Sequence, residues 1–345
     1  MYDTIVIGAG QAGISVGYYL KKSKQKFIIL DKSHEAGESW KNRYDSLVLF
    51  TSRMYSSLPG MPLEGDKHGL PSKNEIAAYL KKYVERFEIP IQLRTEVISV
   101  QKLKNYFLIK TNREEYQTKN LVMAAGPFHT PNIPSISRDV ADHIHQLHSS
   151  QYKHSKQLAP GNVLVVGGGN SGAQIAVELS KERVTYLACS NKPVYFPLWI
   201  GKRSIFWWFD KLGVLHASHT SILGKFIQKK GDPIFGYELK HAIRQKKIIL
   251  KKRVIAGKQN EIIFKDSSSL VVNNIIWATG FKNPLCWMKI EGVLDKEGRI
   301  IHHRGVSAVE GLYFIGLPWQ HRRGSALLQG VGNDAEYIVK QMNGG

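Results

Sequence analysis

Apolar and polar positions along this chain follow two rhythms, and the change from one to the other is marked by glycine. Thr4-Ile5-Val6-Ile7 is a β-branched run that reads as a strand. It flows into Gly8-Ala9-Gly10-Gln11-Ala12-Gly13, after which residues 14–21 carry a helical period. The same succession returns later. Val163-Leu164-Val165-Val166 leads into Gly167-Gly168-Gly169-Asn170-Ser171-Gly172, and residues 173–181 are again helical in pattern. A second echo joins Asn120-Leu121-Val122-Met123-Ala124-Ala125-Gly126 to Asn274-Ile275-Ile276-Trp277-Ala278-Thr279-Gly280. Ahead of each echo lies a β-rich stretch with turn residues, 96–118 and 251–272, which predicts a short meander. Ser72 and Glu75 form a capping box before the helical run of Ile76, Tyr79, Leu80 and Tyr83. The tail adds a strand at 311–316 and a helix over 333–342, opened by Gly330-Val331-Gly332. Two copies of one α/β plan are predicted, with the tail completing the first copy.

The two glycine clusters carry chemistry. In a strand–G-x-G-x-x-G–helix unit the first glycine makes the turn and the second lets a pyrophosphate approach the backbone. The third lets helix pack on strand. The helix N-terminus then offers free N–H groups to phosphate. Gly8, Gly10 and Gly13 fit this plan, as do Gly167, Gly169 and Gly172 with Asn170 and Ser171. After the first loop, Phe27-Ile28-Ile29-Leu30 ends at Asp31, placed to bind ribose hydroxyls of FAD or NAD. After the second, the equivalent strand ends in Cys189-Ser190-Asn191-Lys192 with no acid. Ser190 and Lys192 suit a 2′-phosphate, which predicts NADPH rather than NADH there. Two dinucleotide sites in one chain predict electron transfer between two cofactors, FAD in the first unit and NADPH in the second.

Composition narrows the classes. Of 345 residues, 43% are hydrophobic and 22% charged, as in an ordinary folded protein. No apolar run approaches the length of a membrane span. Met1-Tyr2-Asp3 leads straight into a strand without a signal-peptide pattern, so a cytoplasmic location is expected. Two cysteines, Cys189 and Cys286, exclude a disulfide scaffold and a C-x-x-C redox pair. The net charge is +20, but its lysines and arginines are scattered and no nucleic-acid motif accompanies them. Histidines such as His143, His145 and His148 have no cysteine or carboxylate constellation around them, so no metal site is expected.

At this point the residues resemble a known family, the flavin-containing monooxygenase and Baeyer–Villiger superfamily. The chain is most similar to its short bacterial members, often labelled as involved in potassium or other cation transport. Matching words run almost end to end. They include the two glycine loops, Gly37-Glu38-Ser39-Trp40, Leu49-Phe50-Thr51, Tyr55-Ser56-Ser57-Leu58-Pro59-Gly60, Gly126-Pro127-Phe128, Ala278-Thr279-Gly280-Phe281 and Gly316-Leu317-Pro318-Trp319-Gln320. The resemblance implies FAD contacts from Gly8, Gly10, Gly13, Asp31, Lys32, Trp40, Arg43, Thr51 and Gly126. It implies NADPH contacts from Gly167, Gly169, Asn170, Ser171, Gly172, Ser190, Lys192, Thr279 and Gly280. It assigns no acid, base or nucleophile. The superfamily fingerprint F-x-G-x-x-x-H-x-x-x-Y is altered: His148 and Tyr152 remain, but Asp142 and Ile144 replace its Phe and Gly.

The expected fold class is α/β, with two Rossmann-like dinucleotide-binding domains, each carrying a small β-meander. Residues 1–155 with 278–345 would form the FAD domain, and residues 156–277 an inserted NADPH domain. The expected function is an FAD- and NADPH-dependent oxidoreductase. As a monooxygenase it would use oxygen on a small lipophilic amine, sulfide or ketone through a flavin–peroxide adduct. The alternatives are a flavin reductase of a quinone or protein acceptor, or a redox-sensing accessory of a cation transporter. Residues 195–230 have no counterpart in the first unit and mix aromatics with lysines. They read as a buried excursion or homodimer contact, a substrate-channel wall, or a membrane-surface contact.

Overall fold

The structure is a computed structural model that describes residues 1–128, 130–282, 285 and 287–344. Cys286 lies outside the described residues. Two parallel sheets are built to one plan. In the first, Tyr2–Ile7 lies between Phe27–Leu30 and Glu115–Met123, with Ile91–Gln92 beyond the former and Leu312–Phe314 beyond the latter. In the second, Val163–Val166 lies between Thr185–Ala188 and Asn274–Trp277, with Ile248–Lys251 and His145–His148 outside them. The order of the first four strands is the same, while the fifth comes from downstream of the central strand in the first sheet and from upstream in the second; each glycine loop leaves the C-terminal end of the central strand.

One strand shows how sequence writes two kinds of sheet. Glu115–Met123 begins in alternation, with Tyr116 and Thr118 buried and Glu115, Gln117 and Lys119 exposed. Here it pairs antiparallel with Tyr106–Thr111, which pairs in turn with Val97–Leu103, and one face meets water. Leu121, Val122 and Met123 are then buried without a break, because this half sits inside the parallel sheet. The second meander is a separate sheet of Val254–Lys258, Glu261–Phe264 and Ser269–Val271.

The tail joins the first sheet. Leu312 pairs with Leu121, and the helix Leu328–Met342 packs on the helix Gln11–Lys22 through Val331, Ala335, Ile338 and Val339. This helix starts earlier than its glycines predict. Gly330 and Gly332 are buried inside it rather than ahead of it. They are close-approach residues: a Cβ on Gly332 would stand 2.6 Å from the Pro59 ring. The second sheet takes its edge strand from His145–His148, upstream of residue 156, where an inserted unit was expected to begin. Nothing local marks that strand, since only pairing with Asn274–Trp277 places it. The capping box is present, with Ser72 and Glu75 exchanging backbone bonds before the helix Lys73–Arg86.

The two helices within residues 195–230 differ in character. Ile205 and Phe206, in the helix Ile205–Lys211, are buried with Phe235 against Phe50 and Tyr55. In the helix Ile222–Lys230 only Gly224 is buried.

Candidate active site

Both glycine loops use their residues alike. Gly8 and Gly167 have φ of +107° and +120°, a left-handed backbone that favours glycine. A Cβ on either would strike the carbonyl of the returning strand, at Ala124 or Ala278. Gly13 and Gly172 press on the carbonyls of Gly8 and Gly167, so helix and loop touch backbone to backbone. A Cβ on Gly10 or Gly169 would meet open space. These two positions are the floor of two cradles. Ile14 and Ala173 donate the first helical bonds to the Gly10 and Gly169 carbonyls. The N–H groups of residues 11–13 and 170–172 therefore have no acceptor in the preceding turn.

The two cradles open toward a shared chamber. A cavity of about 910 Å³ is walled by Gly8, Gly10, Asp31, Lys32, Trp40, Arg43, Thr51 and Gly126, and also by Asn170 and Ser171. That is the size of a site for a large organic ligand, at the upper end of the roughly 300–1,000 Å³ range of ligand pockets. Gly13 supports the wall without lining it. Gly167, Gly169, Gly172, Ser190, Lys192, Thr279 and Gly280 do not line it either. Ser190 and Lys192 are exposed just past Thr185–Ala188. Thr279 and Gly280 are tied to Asn132: Thr279 Oγ1 donates to the Asn132 carbonyl, and the Asn132 N–H donates to the Gly280 carbonyl over 2.9 Å.

Asp31 is oriented by its neighbours. Its carboxylate accepts from the N–H of Ala9 and, over 2.7 Å, from that of Ser33. Trp40 Nε1 donates to Gln11 Oε1 over 3.2 Å. Gln11 Nε2 donates to the Ala326 carbonyl over 3.4 Å, joining the first helix to the tail. Thr51 turns its hydroxyl to Ser56, 2.8 Å away. Arg43 lies 4.9 Å above Phe128 and 5.9 Å from Phe281, and among the described residues no carboxylate pairs with it. Burial lowers its pKa from the ordinary arginine value, yet a guanidinium keeps its charge at neutral pH.

His148 is fully buried. The Ser150 N–H donates to its Nδ1, which makes Nε2 the protonated nitrogen, and Nε2 donates to the Gly280 carbonyl over 2.9 Å. Burial is the largest influence on the ring and pulls its pKa below 6.5; the nearby Arg43 charge pulls the same way. The ring stands edge-on to Phe281 at 4.9 Å. It therefore holds the segment after the second returning strand as a neutral donor.

Residues to which the sequence reading gave no such role couple the two halves. Tyr44, buried in the core of the second sheet, donates to Gln174 Oε1 over 2.8 Å. Gln174 Nε2 donates to the Val48 carbonyl. Tyr152 donates to Glu178, which also accepts from Ser46 Oγ. Behind them the buried Lys73 Nζ bonds the Lys41 and Arg43 carbonyls and lies 2.7 Å from Asp45 Oδ1. Leu327 and Leu328 of the tail and Phe50 complete the wall. Of these, the tail residues reach the site only through sheet pairing far away in sequence.

A family model of pyridine nucleotide-disulphide oxidoreductases matches residues 5–193, more than half of the chain and both glycine loops. The chain belongs to that family. It is 99% identical over 345 residues, covering 100% of each chain, to the "uncharacterized oxidoreductase CzcO" of Bacillus velezensis. It is 28% identical over 374 residues to the "probable indole-3-pyruvate monooxygenase YUCCA4" of Arabidopsis thaliana, covering 98% of this chain and 89% of that one. Among solved structures, a variant of the flavin monooxygenase from Stenotrophomonas maltophilia superposes with a TM-score of 0.81 at 25% identity. That likeness covers 99% of this chain and 98% of that one. The complex of OTEMO with FAD and NADP superposes at 0.73 with 15% identity, covering 99% and 85%. The bacillithiol disulfide reductase of Bacillus cereus superposes at 0.72 with 18% identity, covering 99% and 98%. The latter two likenesses are of fold. The protein is thus an oxidoreductase of the flavin-monooxygenase kind.

Two outcomes test the site's construction. In the FAD-free protein Gly13→Val should cost about 1–3 kcal/mol or more through overlap with the Gly8 carbonyl, while Gly10→Val, at an open N-cap position, shifts the urea midpoint far less. A neutral buried His148 gains no proton until its depressed native pKa, whereas the unfolded chain gains one near 6.5. Stability should fall as pH drops below about 6.5, and His148→Gln should make that fall shallower in urea titrations run down to about pH 5.

Proposed function

We propose that the first cradle binds FAD and the second binds NADPH, and that the enzyme oxygenates a small lipophilic amine, sulfide or ketone. The observation that carries this reading is the single chamber lined by Gly10 and Asp31 of one loop unit and by Asn170 and Ser171 of the other. Two dinucleotides laid on these helix N-termini would bring their reactive rings into one space. The fit is steric as well: Gly10 and Gly169 leave room where a pyrophosphate must approach the backbone. In domain terms, residues 1–155 and 278–345 form the FAD unit and 156–277 the inserted NADPH unit, which borrows the strand His145–His148.

When bound, such a pair supplies hydride transfer from NADPH to FAD and activation of oxygen by the reduced flavin. The chain's own residues bind, orient and exclude water. Asp31, steadied by Ala9 and Ser33, offers its remaining lone pairs to ribose hydroxyls. Lys32, Trp40, Thr51 and Gly126 line the flavin side of the chamber, and Arg43 places an unneutralised charge in its wall. His148 fixes the segment of Thr279 and Gly280 on the nicotinamide side. Phe50, stacked at 4.8 Å on Phe235, forms part of the chamber wall, and a monooxygenase needs such a wall against solvent if activated oxygen is to reach substrate rather than be released as hydrogen peroxide. Exposed Ser190 and Lys192 stand ready for a 2′-phosphate.

A dithiol reductase is not supported, because burial pushes the Cys189 thiol up to about 11 and C-x-x-C is absent. The quinone or protein acceptor is the rival outcome of the test. Protein saturated with FAD is supplied with NADPH, 18O2 and a panel of amines, sulfides and ketones. One 18O atom in the product, with NADPH consumed in step, supports oxygenation. Hydrogen peroxide alone across the panel, or NADPH use that needs a quinone, would replace this reading with the reductase. Lys192→Ala should narrow the preference for NADPH over NADH about tenfold, the worth of one charge-assisted bond.

A further inference from the structure

The helix Ile222–Lys230 is amphipathic the wrong way round for a solvated protein. At 100° per residue, Ile222, Phe226 and Leu223 share an arc of about 100°, and Gly224 lies roughly opposite. Gly224 is the buried residue, fitted against the Ser218 carbonyl. The apolar arc faces outward, with Ile222 91%, Phe226 58% and Leu223 42% exposed. Lys225 and Lys229 flank that arc, and the Lys230 ammonium sits 5.5 Å from the Phe226 ring. The rest of the excursion repeats this chemistry, with Leu212 70% exposed and Arg203 4.1 Å over Trp207.

Charge selects the occupant of this face. Residues 195–230 hold Lys202, Arg203, Lys211, Lys225, Lys229 and Lys230 against one acid, Asp210. Asp210 is already engaged by Tyr55 and by His216, at 3.1 and 2.8 Å. Among the described residues none of the six cations forms a salt bridge. A second copy of the chain would bring the same cations to the same face, and a two-fold contact would set like charges together. Exposed apolar side chains ringed by unpaired lysines instead fit a surface that is apolar within and anionic at its boundary. We propose that this helix docks the protein reversibly on the headgroup layer of an anionic lipid bilayer. Ile222, Leu223 and Phe226 enter the interface and Lys225, Lys229 and Lys230 lie over lipid phosphates. The companion helix Ile205–Lys211, packed on Phe50 and Tyr55, anchors the excursion to the body. Nine residues bury little area, so docking depends on both the apolar arc and the charge.

The test is co-sedimentation of the full chain with vesicles of phosphatidylglycerol and phosphatidylcholine, and with vesicles of phosphatidylcholine alone. Lys225→Gln/Lys229→Gln/Lys230→Gln and Ile222→Ser/Phe226→Ser are run beside it, with circular dichroism to confirm that each is folded. The expected results are binding to the anionic vesicles that fades at high salt, and a loss on the order of 100-fold in the lysine variant, at about 1 kcal/mol per lysine. The serine variant should lose binding even at low salt. The proposal is overturned if the parent does not sediment with anionic vesicles at low salt. It is equally overturned if folded variants bind as well as the parent. A dimer in solution that Ile222→Ser/Phe226→Ser splits into monomers would assign the face to a second copy instead.

Discussion

Each glycine loop is pressed against the carbonyl of the strand that returns beside it, and the site depends on that contact. Gly8 meets Ala124 and Gly167 meets Ala278 at distances that no Cβ tolerates. The contact brings the end of the central strand, the turn and the helix start into one small space. Three amide groups at each helix start are then left without a partner in the preceding turn at the same edge of each sheet. Because the central strand of each sheet lies between the strand that follows its loop and the returning strand, the requirement is met twice.

Two such edges make one chamber only if the halves hold a fixed relation. Segment 41–48 supplies it. It leaves the first unit beside Trp40, buries Tyr44 in the core of the second, and bonds Gln174 and Glu178 on the helix behind the second loop. Lys73 pins the same segment from below with its bonds to the Lys41 and Arg43 carbonyls. On the far side, Thr130–Pro131 pairs with Phe281–Lys282, and His148 bonds Gly280. A buried lysine and a buried histidine are costly to desolvate. Here both donate to backbone carbonyls of chain segments that cross between the halves, and Lys73 to the Asp45 carboxylate as well, which stabilises one arrangement over others.

Much of this was legible in the sequence, because the demands on a glycine loop are local. A β-branched run, three spaced glycines and a helical period state strand, turn and helix within twenty residues. The duplication made the pattern specific, and Ser72 with Glu75 marked a helix start by the same local logic. What escaped depended on distant partners. Gly330 and Gly332 read as a helix opening, but they are small because Gly324 and Pro59 press on the helix from outside. His145–His148 carries no strand signal beyond its place beside Asn274–Trp277. Tyr44 and Gln174 look like ordinary polar surface until the sheets are set together. The apolar residues of 195–230 could not be sorted into buried and exposed by composition, since Phe206 and Phe226 differ only in what the fold sets against them.

The central claim is that both glycine loops serve one chamber, so that a nucleotide on the second delivers its electrons to a flavin on the first. Gly169 lies in open space, so Gly169→Val should fold, yet it fills the second cradle. The most direct measurement is anaerobic rapid mixing of FAD-loaded protein with NADPH, following the flavin's visible absorbance. The account predicts that the parent bleaches in a single turnover, and that Gly169→Val keeps its FAD but bleaches far more slowly. Bleaching of Gly169→Val at the parent's rate, or no bleaching of the FAD-loaded parent at all, would contradict it.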